Sequence, residues 1–148
     1  MADYFESRVM SLLRADVTID ELHRRQDGTL PGRFGMRVTR LVQGGLDAEV
    51  EVQPWMLAPN GFLHAASVLV LADTAAGYGC IAHLPAAAKN FTTVELKTNF
   101  LGSVREGSIR AEARAEHLGR TTHVWAATVF GPGDRRLALF RCTQMILS

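Results

Sequence analysis

The sequence predicts an α+β fold in which a curled antiparallel sheet wraps around one long central helix. Three observations carry this expectation. Residues 63–83 are apolar nearly all round, and a helix without a polar face must be buried on most sides. The residues that follow alternate with a period of two, strand after strand. The chain of 148 residues, 47% hydrophobic and 21% charged, has the composition of a folded protein with one sizeable core. No repeat, low-complexity segment or linker divides it.

The elements follow in order. Residues 1–30 read as an N-terminal helical segment. Tyr4, Phe5, Val9, Leu12 and Leu13 recur at helical spacing, and a second short helix is expected from Thr18 to Gln26. Asp27-Gly28 and Pro31-Gly32 then act as breaks. From Met36 the period changes to two. Met36, Val38 and residues 40–42 form one strand and Gln43-Gly44-Gly45 a turn. Leu46, Ala48, Val50 and Val52 then alternate with acidic or amide neighbours, the signature of a hairpin. After the central helix, ended by Pro85, strands are expected over residues 92–104, 108–118, 121–130 and 135–147, arranged as a four-stranded meander. In the second of these, Arg110, Glu112, Arg114 and Glu116 alternate with Ile109, Ala111, Ala113 and Ala115, so one face is a solvated sheet surface. Helix, two strands, a buried helix and four more strands describe the hotdog fold, as a single domain over residues 1–148.

The formal net charge of +1 gives no global field for nucleic acid or an anionic membrane. The first residues lack the layout of a signal peptide, and Asp73 divides the longest apolar run, so a cytoplasmic protein without a membrane span is expected. Cys80 and Cys142 read as a buried, reduced pair. His23, His83, His117 and His123 lack metal-ligand spacing, and there is no phosphate-binding loop, Cys-x-x-Cys pair or nucleophile elbow. No metal or cofactor is expected. Trp55 and Trp125 read as core or interface residues, with Trp55 also a candidate wall of a substrate pocket.

The residue that demands a reason is Asp73. A carboxylate inside an apolar, Ala- and Gly-rich helix is desolvated, which costs several kcal/mol unless it is paired or has a task. His64 stands nine residues earlier, just after Pro59-Asn60-Gly61. Nine helical steps of about 100° leave the two about half a turn out of phase, with a rise of about 13.5 Å. His64 and Asp73 of one chain therefore do not share a helical face. If they share a site, the second copy comes from a neighbouring subunit.

The segments Asn60-Gly61-Phe62-Leu63-His64-Ala65-Ala66 and Leu71-Ala72-Asp73-Thr74-Ala75-Ala76-Gly77 resemble the phenylacetate-pathway (PaaI-like) acyl-CoA thioesterases of the hotdog superfamily. They are also similar to the related 4-hydroxybenzoyl-CoA thioesterases that carry an acidic residue in the central helix. The resemblance covers roughly residues 36–147. His64 matches the motif histidine, and Asp73 the acidic residue nine positions on. Ala65 and Ala66 stand where the motif has glycines, and Ala58 where many members have Asn or Gln, with Asn60 two positions later. Thr93 matches a Ser/Thr position at the second face of the site.

That resemblance implies hydrolysis of an acyl-CoA to free acid and CoA, with an aromatic (hydroxybenzoyl- or phenylacetyl-type) or medium-chain acyl group. The Ala65 N–H at the helix start would polarise the thioester carbonyl. Asp73 would act as general base on water or as nucleophile. His64 would order the carbonyl-binding loop, with Asn60 and Gly61 in that loop, and Thr93 would orient water or carboxylate. Arg120, with Thr121 in the same turn, is the first candidate for the CoA phosphates, Arg105 the second, and Lys89 and Lys97 weaker ones. A two-fold dimer would carry two composite sites, and pairing of two dimers is implied as well. The alternatives are a non-catalytic acyl-CoA-binding or regulatory hotdog module, favoured by Ala65, Ala66 and Ala58, and a hotdog hydratase.

Overall fold

The computed structural model describes residues 11–148. Its first stretch ties itself to distant elements instead of coiling. Ser11 N–H donates to Leu118 C=O, Leu13 N–H to Gln43 Oε1 and Arg14 N–H to Ala82 C=O. Donors spent on tertiary acceptors are lost to helical bonds, so Leu12 and Leu13 are not helical, contrary to their spacing. Tyr4, Phe5 and Val9 lie outside the described residues.

Helix α1 (Ile19–Gln26) begins as predicted, with Thr18 Oγ1 accepting the Glu21 N–H at its N-cap. Asp27-Gly28 ends it. Pro31-Gly32, expected as a break, instead falls within the one-turn helix α2 (Leu30–Arg33), where the missing N–H of Pro31 has no helical acceptor to lose. Gln26 fastens this segment. Its Nε2 donates to Met36 C=O at 2.6 Å, and its Oε1 accepts the Tyr78 hydroxyl at 3.0 Å.

Strands β1 (Arg37–Val42), β2 (Gly45–Glu51), β3 (Asn90–Phe100), β4 (Ser108–Leu118), β5 (Thr122–Phe130) and β6 (Arg136–Leu147) form one antiparallel sheet in the order β1-β2-β4-β5-β6-β3. Only β4, β5 and β6 make the expected meander. β3 stands at the far edge, beside β6. The cause is helix α3 (Ala65–Ala82), which packs against β2, β4, β5, β6 and β3 along the concave face. The chain crosses the sheet with this helix and emerges at the opposite edge, leaving β2 to pair with β4. β3 also stops at Phe100, opposite Ala138, short of Val104, because Leu101 and Gly102 both donate to Leu137 C=O and end the ladder.

Alternation decides what meets α3. His123, Trp125, Ala127 and Val129 of β5 point inward and are buried, as are Ala111 and Ala113 of β4. On the outer face Arg110 pairs with Glu112 and Asp134, and Arg114 with Asp47, exposed pairs worth about 0–1 kcal/mol each. Buried Ala72, Ala75 and Ala76 let the helix lie low on the alanines of β4. Trp125 is the large exception, and it explains a helix glycine: a Cβ at Gly79 would lie 2.6 Å from the indole. Gly77 gives way in the same manner to the Phe91 ring, 3.2 Å from where its Cβ would stand. These contacts offset the roughly 1 kcal/mol that each glycine costs in a helix interior. Helix α3 is long and apolar enough to cross a membrane, yet most of it is buried against the rest of the chain.

The end of α3 carries a pH dependence. His83 Nδ1 donates to Gly79 C=O at 2.7 Å while its Nε2 accepts the Gly44 N–H at 2.9 Å, so the ring is neutral and bridges the helix end to the β1–β2 turn. Burial pushes its pKa down. The pKa of buried His123 falls from 6.5 to about 4, through burial first and the nearby His83 and His117 second. The unfolded chain binds these protons more readily than the folded one, so stability is complete above pH 6.5 and declines as pH falls toward 4. Thermal unfolding followed by circular dichroism is expected to show Tm falling across that window. A flat Tm there would mean that neither imidazole is buried and neutral.

Candidate active site

The loop before α3 is shaped by its own residues. Asn60 Oδ1 accepts the Phe62 N–H at 3.1 Å, and Gly61 takes φ +83°, a conformation that side chains disfavour. Arg105 covers this loop. Its guanidinium lies 4.1 Å from the Phe62 ring centroid, and a Cβ on Gly61 would come within 2.9 Å of it. Asn60, Gly61 and Arg105 therefore form one cluster, in which the Asn60 carbonyl is spent on the turn.

His64 is the N-cap of α3, its Nδ1 accepting the Ala66 N–H at 2.9 Å. With Nδ1 as acceptor, the proton of the neutral ring lies on Nε2. The Ser67 and Val68 N–H groups bond to His64 C=O. The Ala65 N–H is left without an acceptor among the described residues, on an exposed residue at the positive end of the helix. The cap thus takes the second N–H of the helix and leaves the first free.

Asp73 lies nine residues on, half-buried, with its Oδ1 shielded from solvent and without a partner among the described residues. Desolvation pushes its pKa above the usual carboxylate range. The strand opposite it is β6. Cys142 there has its thiol pushed up to about 12 by burial first and the Asp73 charge second. At the next inward position of β6 the buried Gln144 accepts the Thr93 hydroxyl on Oε1 at 2.7 Å. Having given its proton to Gln144, Thr93 serves a further group only as an acceptor. Water suits it and an ionised carboxylate does not.

One chain therefore carries two clusters. His64, Ala65, Asn60, Gly61 and Arg105 gather at the start of α3. Asp73 and Thr93 stand along its β6–β3 side, about 13.5 Å of helical rise away. Arg120 and Thr121 join neither: their turn links β4 to β5 beside the other end of α3, where Cys80 packs on His123, and Thr121 C=O accepts the Ile146 N–H. Lys97 projects from the outer face of β3 opposite Arg141, and Lys89 is exposed ahead of β3. Cys80 and Cys142 are buried free thiols. Among the described residues no three His, Cys, Asp or Glu side chains gather as a metal site.

Two polar groups escaped the sequence reading. Gln144 is a polar side chain at an inward position of β6, a signal that strict period-two counting through Cys142 would have caught. Thr98, on the edge strand β3, has a buried hydroxyl without a partner among the described residues, and nothing in the sequence separates it from an ordinary strand threonine.

A six-stranded antiparallel sheet curled on one buried helix is a hotdog fold. Residues 60–138 match the model of the thioesterase superfamily, and the chain belongs to that family. The 1,4-dihydroxy-2-naphthoyl-CoA hydrolase of Escherichia coli is 28% identical over 134 residues, 88% of this chain and 96% of that protein. A crystal structure of a mutant thioesterase from Pseudomonas aeruginosa superposes with a TM-score of 0.86 at 28% identity, over 93% of this chain and 99% of that one. The E. coli PaaI protein from the phenylacetic acid degradation operon shares the fold, with a TM-score of 0.77 at 21% identity over 85% of this chain and 90% of its own.

Proposed function

We propose that this thioesterase-family protein hydrolyses an acyl-CoA carrying an aromatic or medium-chain acyl group, in a composite site between two copies of the chain. The observation that carries the reading is the presence of two unspent groups among the described residues, the Ala65 N–H and the Asp73 Oδ1. The N–H receives the thioester oxygen as negative charge develops on it. Asp73 attacks the carbonyl carbon or takes a proton from the attacking water, for which a raised pKa suits it. Thr93, held by Gln144, accepts a hydrogen bond from that water. Arg105, next to the carbonyl loop, is the better placed cation for a CoA phosphate, ahead of Arg120. The coenzyme-A thioester cleaved by the E. coli relative supports the substrate class.

The second copy is supported by the edge strand. Among the described residues β3, 11 residues long, pairs on one flank only, and Val94, Leu96, Phe100 and Leu101 are exposed at or just beyond it. An apolar, unblunted edge invites pairing with another strand. A second β3 would satisfy it and bring two α3 helices alongside one another, so that Asp73 of one chain meets the helix start of the other. Release of free thiol from a panel of acyl-CoAs tests the activity. Leu96→Lys, at a position 42% exposed, tests the assembly. Sedimentation is expected to show a dimer for the parent and a folded monomer for the variant, with thiol release lost. A fully active monomer would refute the composite site.

A further inference from the structure

An apolar cleft of about 330 Å³ opens beside the first two turns of α3. Its walls include Leu30, Phe34, Trp55, Leu57 and Val70, and His64 and Ala66 of the helix start also line it. Leu30, Phe34 and Trp55 all precede residue 60, outside the stretch that matches the family model. Trp55 is 60% exposed and Leu30 59%, although both are large and apolar and stand on the same cleft. The edge of Phe34 meets Trp55 with centroids 4.9 Å apart at 77°, which fixes the plane of the indole. Ser67, also on the lining, has its hydroxyl committed to Met56 C=O at 2.8 Å. Among the described residues no Arg or Lys lines the cleft.

We infer that this cleft receives the acyl group of the thioester, with Trp55 and Leu30 selecting for a flat or compact apolar chain. The inference rests on the thioesterase reading above. The lining suits such an occupant: His64, the N-cap of α3 and chain neighbour of the free Ala65 N–H, belongs to it, and apolar side chains make up most of the rest. The lack of cations excludes the phosphate-bearing end of CoA. The volume lies at the low end of the ~300–1,000 Å³ range of ligand sites, which favours a one- or two-ring or medium-length group over a long fatty chain. The N-terminal segment, pinned by Gln26, thereby gains the task of forming the acyl wall.

The test compares acetyl-CoA, benzoyl-CoA, decanoyl-CoA and 1-naphthoyl-CoA with the parent, Trp55→Ala and Leu30→Trp, both altered at exposed positions the fold tolerates. Trp55→Ala is expected to lower kcat/KM at least about tenfold for the benzoyl, naphthoyl and decanoyl esters and less than about threefold for acetyl-CoA, since differential contacts of this size are worth roughly 10–200-fold. Leu30→Trp, which fills the cleft, is expected to shift preference toward acetyl-CoA. A uniform change across the panel, or none, would overturn the inference while leaving the hydrolase reading intact. If the parent releases thiol from no ester, that reading fails instead, and the cleft is judged by binding alone. The Trp55 indole N–H resonance, assigned by its loss in Trp55→Phe, should then shift saturably with benzoyl-CoA but not with CoA. Absence of that shift overturns the cleft assignment.

Discussion

Asp73→Asn is expected to lower kcat for acyl-CoA hydrolysis by about 10³-fold or more while raising the melting temperature. Both effects have one source. Oδ1 is shielded and has no partner among the described residues, and desolvation raises the pKa, so the folded state binds this proton more tightly than the unfolded chain. The sign follows from linkage: as pH rises through the ordinary carboxylate value, the unfolded chain ionises first, and the folded state loses relative stability that it does not recover at neutral pH. An amide of the same shape removes the buried charge and with it that cost. A gain of about 1 kcal/mol would appear as roughly 2–4 °C in a domain of this size. The same substitution removes the carboxylate proposed to attack the thioester or deprotonate water, and Thr93 does not replace it, since its proton is already given to Gln144. Differential scanning fluorimetry and thiol release on one preparation read both effects. An inactive variant with lower Tm would mean that Asp73 is a structural carboxylate, and an active one would remove it from the chemistry.

Legibility differed between fold and site for a physical reason. Period and punctuation are local properties, and the sequence carries them: the short helix ending at Gln26, the hairpin at Gln43-Gly44 and the termini of β4 were all readable. Position within the sheet is not local. The placement of β3 beside β6 depends on where α3 leaves the concave face, which no count along the chain reports. Leu12 and Leu13 have helical spacing but are held by acceptors on residues 43 and 82, far away in sequence. At the site, Asp73 and His64 stood out because each breaks its local pattern. Gln144, Thr98 and the Trp55 cleft act through neighbours that only folding supplies, and Arg120, in the turn between β4 and β5, does not join His64 within one chain.

Ala65→Pro gives the second large expected effect, because here the backbone can be altered without disturbing the helix. Proline is at home at the first helical position, where its missing N–H has no intrahelical partner. It also restricts the preceding residue to extended angles near ψ +120 to +160°, and His64 already sits at φ −65°, ψ 138°. The variant should fold with unchanged stability and lose one donor only. Loss of such a donor lowers kcat by about 10²–10³-fold. Retention of full turnover would discard the Ala65 N–H as the carbonyl site. The two inactive variants then test each other. In a mixed dimer of Asp73→Asn and Ala65→Pro chains, a composite arrangement leaves one site with both native groups and the other with neither. Random reassortment makes half of the dimers mixed, so about a quarter of the parental activity should return on unfolding and refolding the two together. A site contained within one chain would recover none, because every chain in the mixture lacks one of its two groups.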